Sequence, residues 1–228
     1  MKLSVITVNK NNVQGLVSTV QSYELIASTE TELIVVDAAS DDGSVEWLEA
    51  NCSSDCRWVS EPDNGIYYAM NKGIQRASGR FMLFMNSGDV FDESVKGVEF
   101  LTKLTDDRTV YICKSRALNG VVRDPLGLLA TRVGEMPACH QSIIYPRSIC
   151  GEEFKYDVSY KIFSDFDFTV KVLQKSRVKF LDLCLSRREP GGLSRKVSFR
   201  KRVEKYSILL KYFGVTGVLL GLLYRFSR

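Results

Sequence analysis

The amino-acid sequence predicts an α/β fold in which helices flank a mostly parallel sheet. Along the first 90 residues, short β-branched runs alternate with segments whose apolar residues recur at helical spacing. Acidic residues follow two of these runs, at the position where sheets of this kind bind ligands. Apolar residues make up 45% of the 228 residues and charged residues 25%, a composition that supports one domain with its own core and argues against disorder.

The elements before residue 60 are predicted from buried runs and capping residues. The asparagines after the first run can cap a helix, and residues 40–43 form a turn that caps the next one. In order, the sequence predicts a strand at 3–8, a helix at 13–20, a strand at 32–37, a helix at 45–50 and a short strand at 57–59.

The predictions for the later part of the chain begin with a loop and a helix. Pro62 and Gly65 mark the entry to a helix within residues 61–79, whose apolar residues share one face. The remaining predictions are a strand at 81–85, a mixed region at 90–150, a helix at 160–175, a strand at 180–185 and a flexible loop at 190–194.

Charge and cysteine usage exclude several classes of protein. The net charge of +4 is too small to indicate a nucleic-acid partner, and its basic surplus is concentrated in residues 187–205. Six cysteines form no CxxC pair and His140 is the sole histidine, so we expect unpaired thiols in a reducing compartment and no Cys/His zinc site. No signal-peptide pattern is present, so we expect the catalytic part in the cytoplasm.

The C-terminal segment, residues 196–228, is predicted to be distinct from a domain at 1–195. Its uninterrupted apolar stretch at 213–224 is about 12 residues long, whereas a spanning helix needs about 20. A basic segment followed by a short apolar helix is typical of a helix that lies in a membrane interface. The alternative is a helix docked on the domain.

Two aspartates fall at the ends of predicted strands. Asp37 ends a buried run before a glycine-containing turn, where its carboxylate can bind a nucleoside or only hold the turn. Asp89 ends the segment 86–89, where a carboxylate can bind Mg²⁺ or Mn²⁺ together with a diphosphate. The alternative for Asp89 is a helix-capping turn.

The acids at the start of the 160–175 helix, and the single histidine, are the remaining candidates. Asp165 and Asp167 are two residues apart and do not share a helix face, so only one of them should face a cleft as a general base. The alternative is that both complement the helix dipole. His140 is a ligand, an acceptor contact or a buried structural group, and chemistry alone favours the last of these.

Together these motifs resemble the family 2 glycosyltransferases, which have the GT-A fold. The resemblance covers roughly residues 2–195. Within the family, the pattern looks closest to the transferases of colanic-acid, other exopolysaccharide and O-antigen biosynthesis in enteric bacteria. It rests on the segments 4–9, 35–43, 60–74, 77–80, 86–89, 139–142, 160–165 and 191–194, of which 60–74 is the most specific.

The resemblance implies an inverting transfer of a sugar from a nucleotide diphosphate-sugar, with residues assigned by position. Asp165 would deprotonate the acceptor hydroxyl, Asp89 would hold Mg²⁺ or Mn²⁺, and His140 would lie near the acceptor or the metal. The implied donor-binding residues are Thr7, Asn9, Asp37, Asp63, Lys72 and Ser87. The implied acceptor is a polyprenyl-diphosphate-linked saccharide at the cytoplasmic face of the bacterial inner membrane, in surface polysaccharide biosynthesis.

The sequence departs from the family pattern in three places, and two other functions remain open. Ala38 and Ala39 replace usual glycines, Tyr68 replaces a common acid, and Gly88 replaces the first of two adjacent metal-binding acids. A nucleotidyltransferase is one alternative, although residues 8–12 lack the expected glycine. An inactive binding or scaffold protein is the other, although both Asp89 and Asp165 are retained.

Overall fold

The computed structural model describes residues 2–52, 56–117, 119–149, 154–187 and 199–227. The predicted loop at 190–194 and the predicted boundary at 195/196 lie outside them. The strands are β1 (Leu3–Asn9), β2 (Thr31–Asp37), β3 (Cys56–Ser60), β4 (Phe81–Phe84), β5 (Val90–Phe91), β6 (Thr109–Arg116), β7 (Val122–Arg123), β8 (Ile143–Pro146) and β9 (Arg177–Arg187). The helices are α1 (Val13–Tyr23), α2 (Ser44–Asn51), α3 (Ile66–Arg76), α4 (Gly97–Thr102), α5 (Ser164–Leu173) and α6 (Phe199–Phe226).

The strands form one mixed sheet in the order β3-β2-β1-β4-β8-β6-β9-β5, with β7 paired to β6. The pairs among β1, β2, β3 and β4 are parallel, as predicted. Beyond β4 the sheet is no longer all parallel, because β8 pairs antiparallel with both β4 and β6. The predicted mostly parallel sheet therefore describes the N-terminal half, and the C-terminal half is mixed.

The parallel half is buried on both faces. Every residue of β1 and β2 is buried, which explains their nearly continuous apolar runs. One apolar cluster packs the sheet against α1, α2 and α4, and a second packs it against α3 and α5. The helices thus cover both faces and leave the carboxyl ends of the parallel strands at one edge.

Aromatic rings fix the position of α5 against the sheet. Phe168 of α5 stacks on Tyr156 with ring centroids 4.4 Å apart and meets Tyr145 edge-on at 5.1 Å. Phe84, at the end of β4, contacts the same group of rings. The start of α5 is therefore brought next to the end of β4.

The C-terminal helix α6 turns back on itself. Gly214 has φ 64° and ψ −161°, which interrupts the helix between residues 199–213 and residues 215–226. A Cβ added at Gly221 would lie 2.7 Å from the Leu209 side chain, so the two arms pack against each other. By length and composition α6 is the one helix among the described residues that could cross a membrane. Each arm, however, is only roughly 20 Å long, less than the roughly 30 Å hydrocarbon core.

The pairing of the cysteines differs from the prediction for one pair. Cys52, directly after α2, forms a disulfide with Cys56 at the start of β3. The expectation of unpaired thiols is wrong for these two residues. Cys113 and Cys184 are free, as predicted, and Cys150 lies outside the described residues.

Candidate active site

Asp37 lies at the end of β2, directly beside Asn9 at the end of β1. Its fully buried carboxylate accepts hydrogen bonds from the Asn9 amide at 2.8 Å and from the Ser40 and Ser60 hydroxyls at 2.6 and 2.7 Å. Burial alone would raise the pKa of Asp37, but these hydrogen bonds outweigh burial and lower its pKa. The contacts match the turn-holding alternative, and the nucleoside contact stays a prediction.

Thr7 and Asn9 lie at the same strand ends but are buried. Their relative exposures are 0% and 4%, and among the described residues the Thr7 hydroxyl and the Asn9 amide oxygen find no hydrogen-bond partner. The Asn86 amide oxygen, after β4, is also buried without a partner in the described part of the chain. Direct contact of Thr7 or Asn9 with a donor stays a prediction.

Asp63 and Lys72 lie on the rim of the same edge. The Glu61 backbone N–H donates to the Asp37 carbonyl at 3.1 Å, which joins the rim segment to β2. Lys72 forms an ion pair with Glu61 at 3.1 Å, and the Asp63 carboxylate accepts from the Gly65 N–H at 2.8 Å. Both predicted residues thus shape the loop before α3.

Asp89 lies after β4 and is in contact with Gln141. The Gln141 side-chain amide donates a hydrogen bond to the Asp89 carboxylate. Ser87 lies in the same turn and donates to the Asn12 carbonyl at 3.2 Å. Gln141 was not singled out from the sequence, and the available signal was its place beside His140 in the 139–142 motif.

Among the described residues, Asp89 is the carboxylate that we predict to bind a divalent cation. Nowhere among them do three His, Cys, Asp or Glu side chains come together as a ligand group. Asp89 is half-buried at the strand ends, and a hard cation there would take its other ligands from a donor diphosphate. This agrees with the loss of one acid at Gly88.

The two acids of α5 point to different surroundings. The Asp165 side chain is 31% exposed, whereas that of Asp167 is 1% exposed and pairs with Lys211 of α6 at 2.8 Å. The two acids therefore differ in exposure, and that Asp165 faces a cleft stays a prediction. Asp165 is the acid that solvent, and hence an acceptor hydroxyl, can reach.

Asp165 lies beside His140 and Tyr67. Its carboxylate is 3.8 Å from His140 Nδ1 and 3.5 Å from the Tyr67 hydroxyl. Burial, together with the charge of Asp165, raises the pKa of Tyr67 well above its usual range, so Tyr67 stays protonated, and it donates a hydrogen bond to the Ile162 carbonyl at 2.7 Å. His140 is nearly buried, and its Nε2 lies 3.0 Å from the Tyr156 hydroxyl.

The two candidate carboxylates belong to one site. Asp165 contacts His140 and Asp89 contacts Gln141, and His140 and Gln141 are consecutive in the chain. The segment at 139–142 therefore joins an exposed acid that can take a proton to an acid placed at the carboxyl ends of the parallel strands.

Replacing Asp37 with asparagine should destabilise the fold in a pH-dependent way. Because its pKa is lowered in the folded chain, Asp37 contributes stability above about pH 3.9 and loses that contribution as the pH falls through the folded pKa. We expect Asp37→Asn to cost about 1–3 kcal/mol at pH 7 by urea unfolding, and less below pH 3.9. Asp41→Asn, on the exposed part of the same turn, is the control. A cost independent of pH would contradict this role.

Known proteins resemble the chain in sequence and in fold. The profile of the family described as glycosyl transferase family 2 matches residues 4–166. The chain is 32% identical over 177 residues to an uncharacterized glycosyltransferase, MT1564, of Mycobacterium tuberculosis (strain CDC 1551 / Oshkosh). The matched region covers 74% of this chain and 68% of the relative.

Solved structures confirm the predicted GT-A-like fold. Staphylococcus aureus TarS 1–349 in complex with UDP-GlcNAc superposes with a TM-score of 0.77 at 19% identity, over 100% of this chain and 73% of TarS. The mannosyltransferase PcManGT of Pyrobaculum calidifontis, in complex with GDP-Man and Mn²⁺, gives 0.64 at 16% identity, over 93% of this chain and 63% of that one.

Proposed function

This chain belongs to glycosyl transferase family 2, and we propose that it moves a sugar from a nucleotide diphosphate-sugar to a saccharide hydroxyl with inversion. The observation that carries the proposal is the single site formed by Asp89, Gln141, His140 and Asp165. Family membership favours sugar transfer over the nucleotidyltransferase alternative. The inactive-scaffold alternative is left to experiment.

The proposed chemistry is a single displacement at the anomeric carbon. The acceptor oxygen attacks that carbon as Asp165 takes the hydroxyl proton, and the bond to the diphosphate breaks with its electron pair leaving on the diphosphate. Attack opposite the leaving group inverts the anomeric carbon. His140 and Tyr67 flank the Asp165 carboxylate, at 3.8 and 3.5 Å.

Asp89 is proposed to hold Mg²⁺ or Mn²⁺ against the donor diphosphate. When bound, such a cation offsets the charge that develops on the leaving group. Gln141 would orient the Asp89 carboxylate through the hydrogen bond already described.

The acceptor is proposed to be a polyprenyl-diphosphate-linked saccharide at the cytoplasmic face of the bacterial inner membrane. The support is the surface of α6, where Leu219, Leu223 and Phe226 are 54%, 67% and 84% exposed. The neighbouring 3-10 helix Leu128–Val133 packs against α6 and exposes Leu129 at 76%. An apolar surface with basic residues beside it fits a peripheral interface helix. A role in exopolysaccharide, O-antigen or colanic-acid biosynthesis belongs to the same proposal.

Acidic substitutions on this apolar surface should abolish membrane binding. We expect the double variant Leu219→Asp and Leu223→Asp to reduce the fraction that floats with phosphatidylglycerol vesicles to the protein-only background, because charges would replace the exposed apolar side chains that are proposed to enter the membrane interface. Leu25→Asp, at an exposed leucine after α1, should float like the wild type. Equal flotation of the double variant would exclude this surface as the contact.

Donor binding is tested by a thermal-shift screen. UDP, GDP, CMP and dTDP are each added with and without Mn²⁺, and a ligand at 100 times its Kd should stabilise by about 2.7 kcal/mol. A metal-dependent shift with one nucleotide, followed by turnover of the matching nucleotide-sugar, supports the proposal. No shift and no turnover with any donor would favour the inactive scaffold.

A further inference from the structure

The N-terminus of α5 is capped from another helix. The residue at its N-cap position, Phe163, forms no side-chain cap. Of the two first-turn acids, Asp165 accepts from the Phe166 N–H at 2.8 Å, and Asp167 pairs with Lys211. Instead, the carboxylate of Glu204 on α6 accepts hydrogen bonds from the backbone N–H groups of Lys161, Ile162 and Phe163, at 3.0, 2.9 and 3.1 Å. Glu204 is 7% exposed, so this contact is shielded from solvent.

This cap acts on the backbone that carries the proposed base. Unpaired N–H groups and a partial positive charge at a helix N-terminus favour a carboxylate there. The three capped residues directly precede Ser164 and Asp165. The carbonyl of one of them, Ile162, accepts from the Tyr67 hydroxyl at 2.7 Å, so Glu204 and Tyr67 fix the same peptide from two directions.

The first arm of α6 also holds α5 further along. Lys211 pairs with the buried Asp167 at 2.8 Å, and the buried Ile208 packs against Phe166 and Val170. These contacts hold the first arm of α6 against α5 and so keep Glu204 next to the start of α5. The first arm of α6 therefore matches the docked-helix alternative and supports the helix that carries Asp165.

We propose that Glu204 is a positioning residue for sugar transfer, which acts by fixing Asp165 through the start of α5. This inference rests on the proposed function, because it assumes that Asp165 is the base. A displacement of about 1 Å at a catalytic group can cost about 10²-fold in rate. The C-terminal arm is then part of the catalytic unit.

The test compares Glu204→Gln with Glu135→Gln. Glu135 pairs with Lys205, the next residue of α6, at 3.1 Å, and holds the same arm without a hydrogen bond to α5 in the described contacts. The readout is hydrolysis of UDP-N-acetylglucosamine, UDP-glucose or GDP-mannose, whichever the wild type turns over fastest. We expect Glu204→Gln to lower kcat by about 10- to 100-fold with the donor KM unchanged, and Glu135→Gln to change kcat less than twofold.

A double variant separates positioning from general destabilisation. If Glu204 acts through Asp165, adding Glu204→Gln to Asp165→Asn should lower kcat no further. Should Glu204→Gln fail to fold, Glu204→Asp, which keeps the charge, replaces it in both comparisons. Equal kcat for the Glu204 and Glu135 variants, or multiplicative losses in the double variant, would overturn the inference. Unchanged kcat in Asp165→Asn alone would instead overturn the proposed base.

Discussion

Asp165→Asn is expected to reduce sugar transfer by about 10²- to 10⁴-fold and to leave donor binding intact. Asparagine keeps the size of the side chain but cannot accept the acceptor proton at neutral pH. Its contacts with His140 and Tyr67 are not the chief supports of the fold, so the melting temperature should change little. Turnover and nucleotide-induced thermal shifts, measured on the same preparation, test both parts of this expectation.

The control for this variant is an acid outside the site. Asp107→Asn alters a half-buried aspartate that pairs with Arg80 at 3.4 Å, at the end of β4 opposite to the site. Its turnover should stay within twofold of the wild type. Full transfer by Asp165→Asn would show that another group takes the proton.

Asp89→Ala is expected to abolish the metal-dependent part of nucleotide binding. At about 4 Å and an effective dielectric constant near 20, one contact between unit charges is worth at most roughly 4 kcal/mol, or about 10³-fold in rate. The nucleotide-induced shift with Mn²⁺ should therefore fall to its value without metal, and turnover should fall by up to that factor.

Glu93→Ala provides the comparison for Asp89. Glu93 lies four residues further along the chain, its side chain is 83% exposed, and it pairs with Arg187. We expect it to keep both the Mn²⁺-dependent shift and the turnover. An Asp89→Ala protein that still responds to Mn²⁺ would place the cation elsewhere.

The first half of the fold was predictable because its signals are local. The β1 and β2 runs are buried throughout, and α3 has one apolar face, so periodicity alone locates them. The antiparallel insertion of β8 between β4 and β6 depends on pairing between distant segments. Such non-local pairing leaves little trace in the mixed composition of residues 90–150.

The sequence predicted the site residues that lie in recognisable motifs, but not the contacts between distant segments. The two-residue spacing of Asp165 and Asp167 indicated that the two acids lie on different faces of the helix, and their exposures differ accordingly. Gln141 and Glu204 were missed. Gln141 acts on a residue 52 positions away along the chain, and Glu204 on residues at least 41 positions away. The turn-holding contacts of Asp37 match one of its two alternatives, whereas its bonds from Asn9 and Ser60 join segments 28 and 23 positions away.

The reversal at Gly214 has a consequence for how the protein would leave a membrane. Both outer ends of the α6 hairpin lie on one side, so insertion would carry neither Arg200 nor Arg225 through hydrocarbon, where a charged side chain costs at least about 2.5 kcal/mol. If α6 binds a membrane as proposed, such attachment would need no translocation machinery and would be reversible. We would then expect an unbound pool that exchanges with the membrane-bound one, with its partition set by the abundance of anionic lipid.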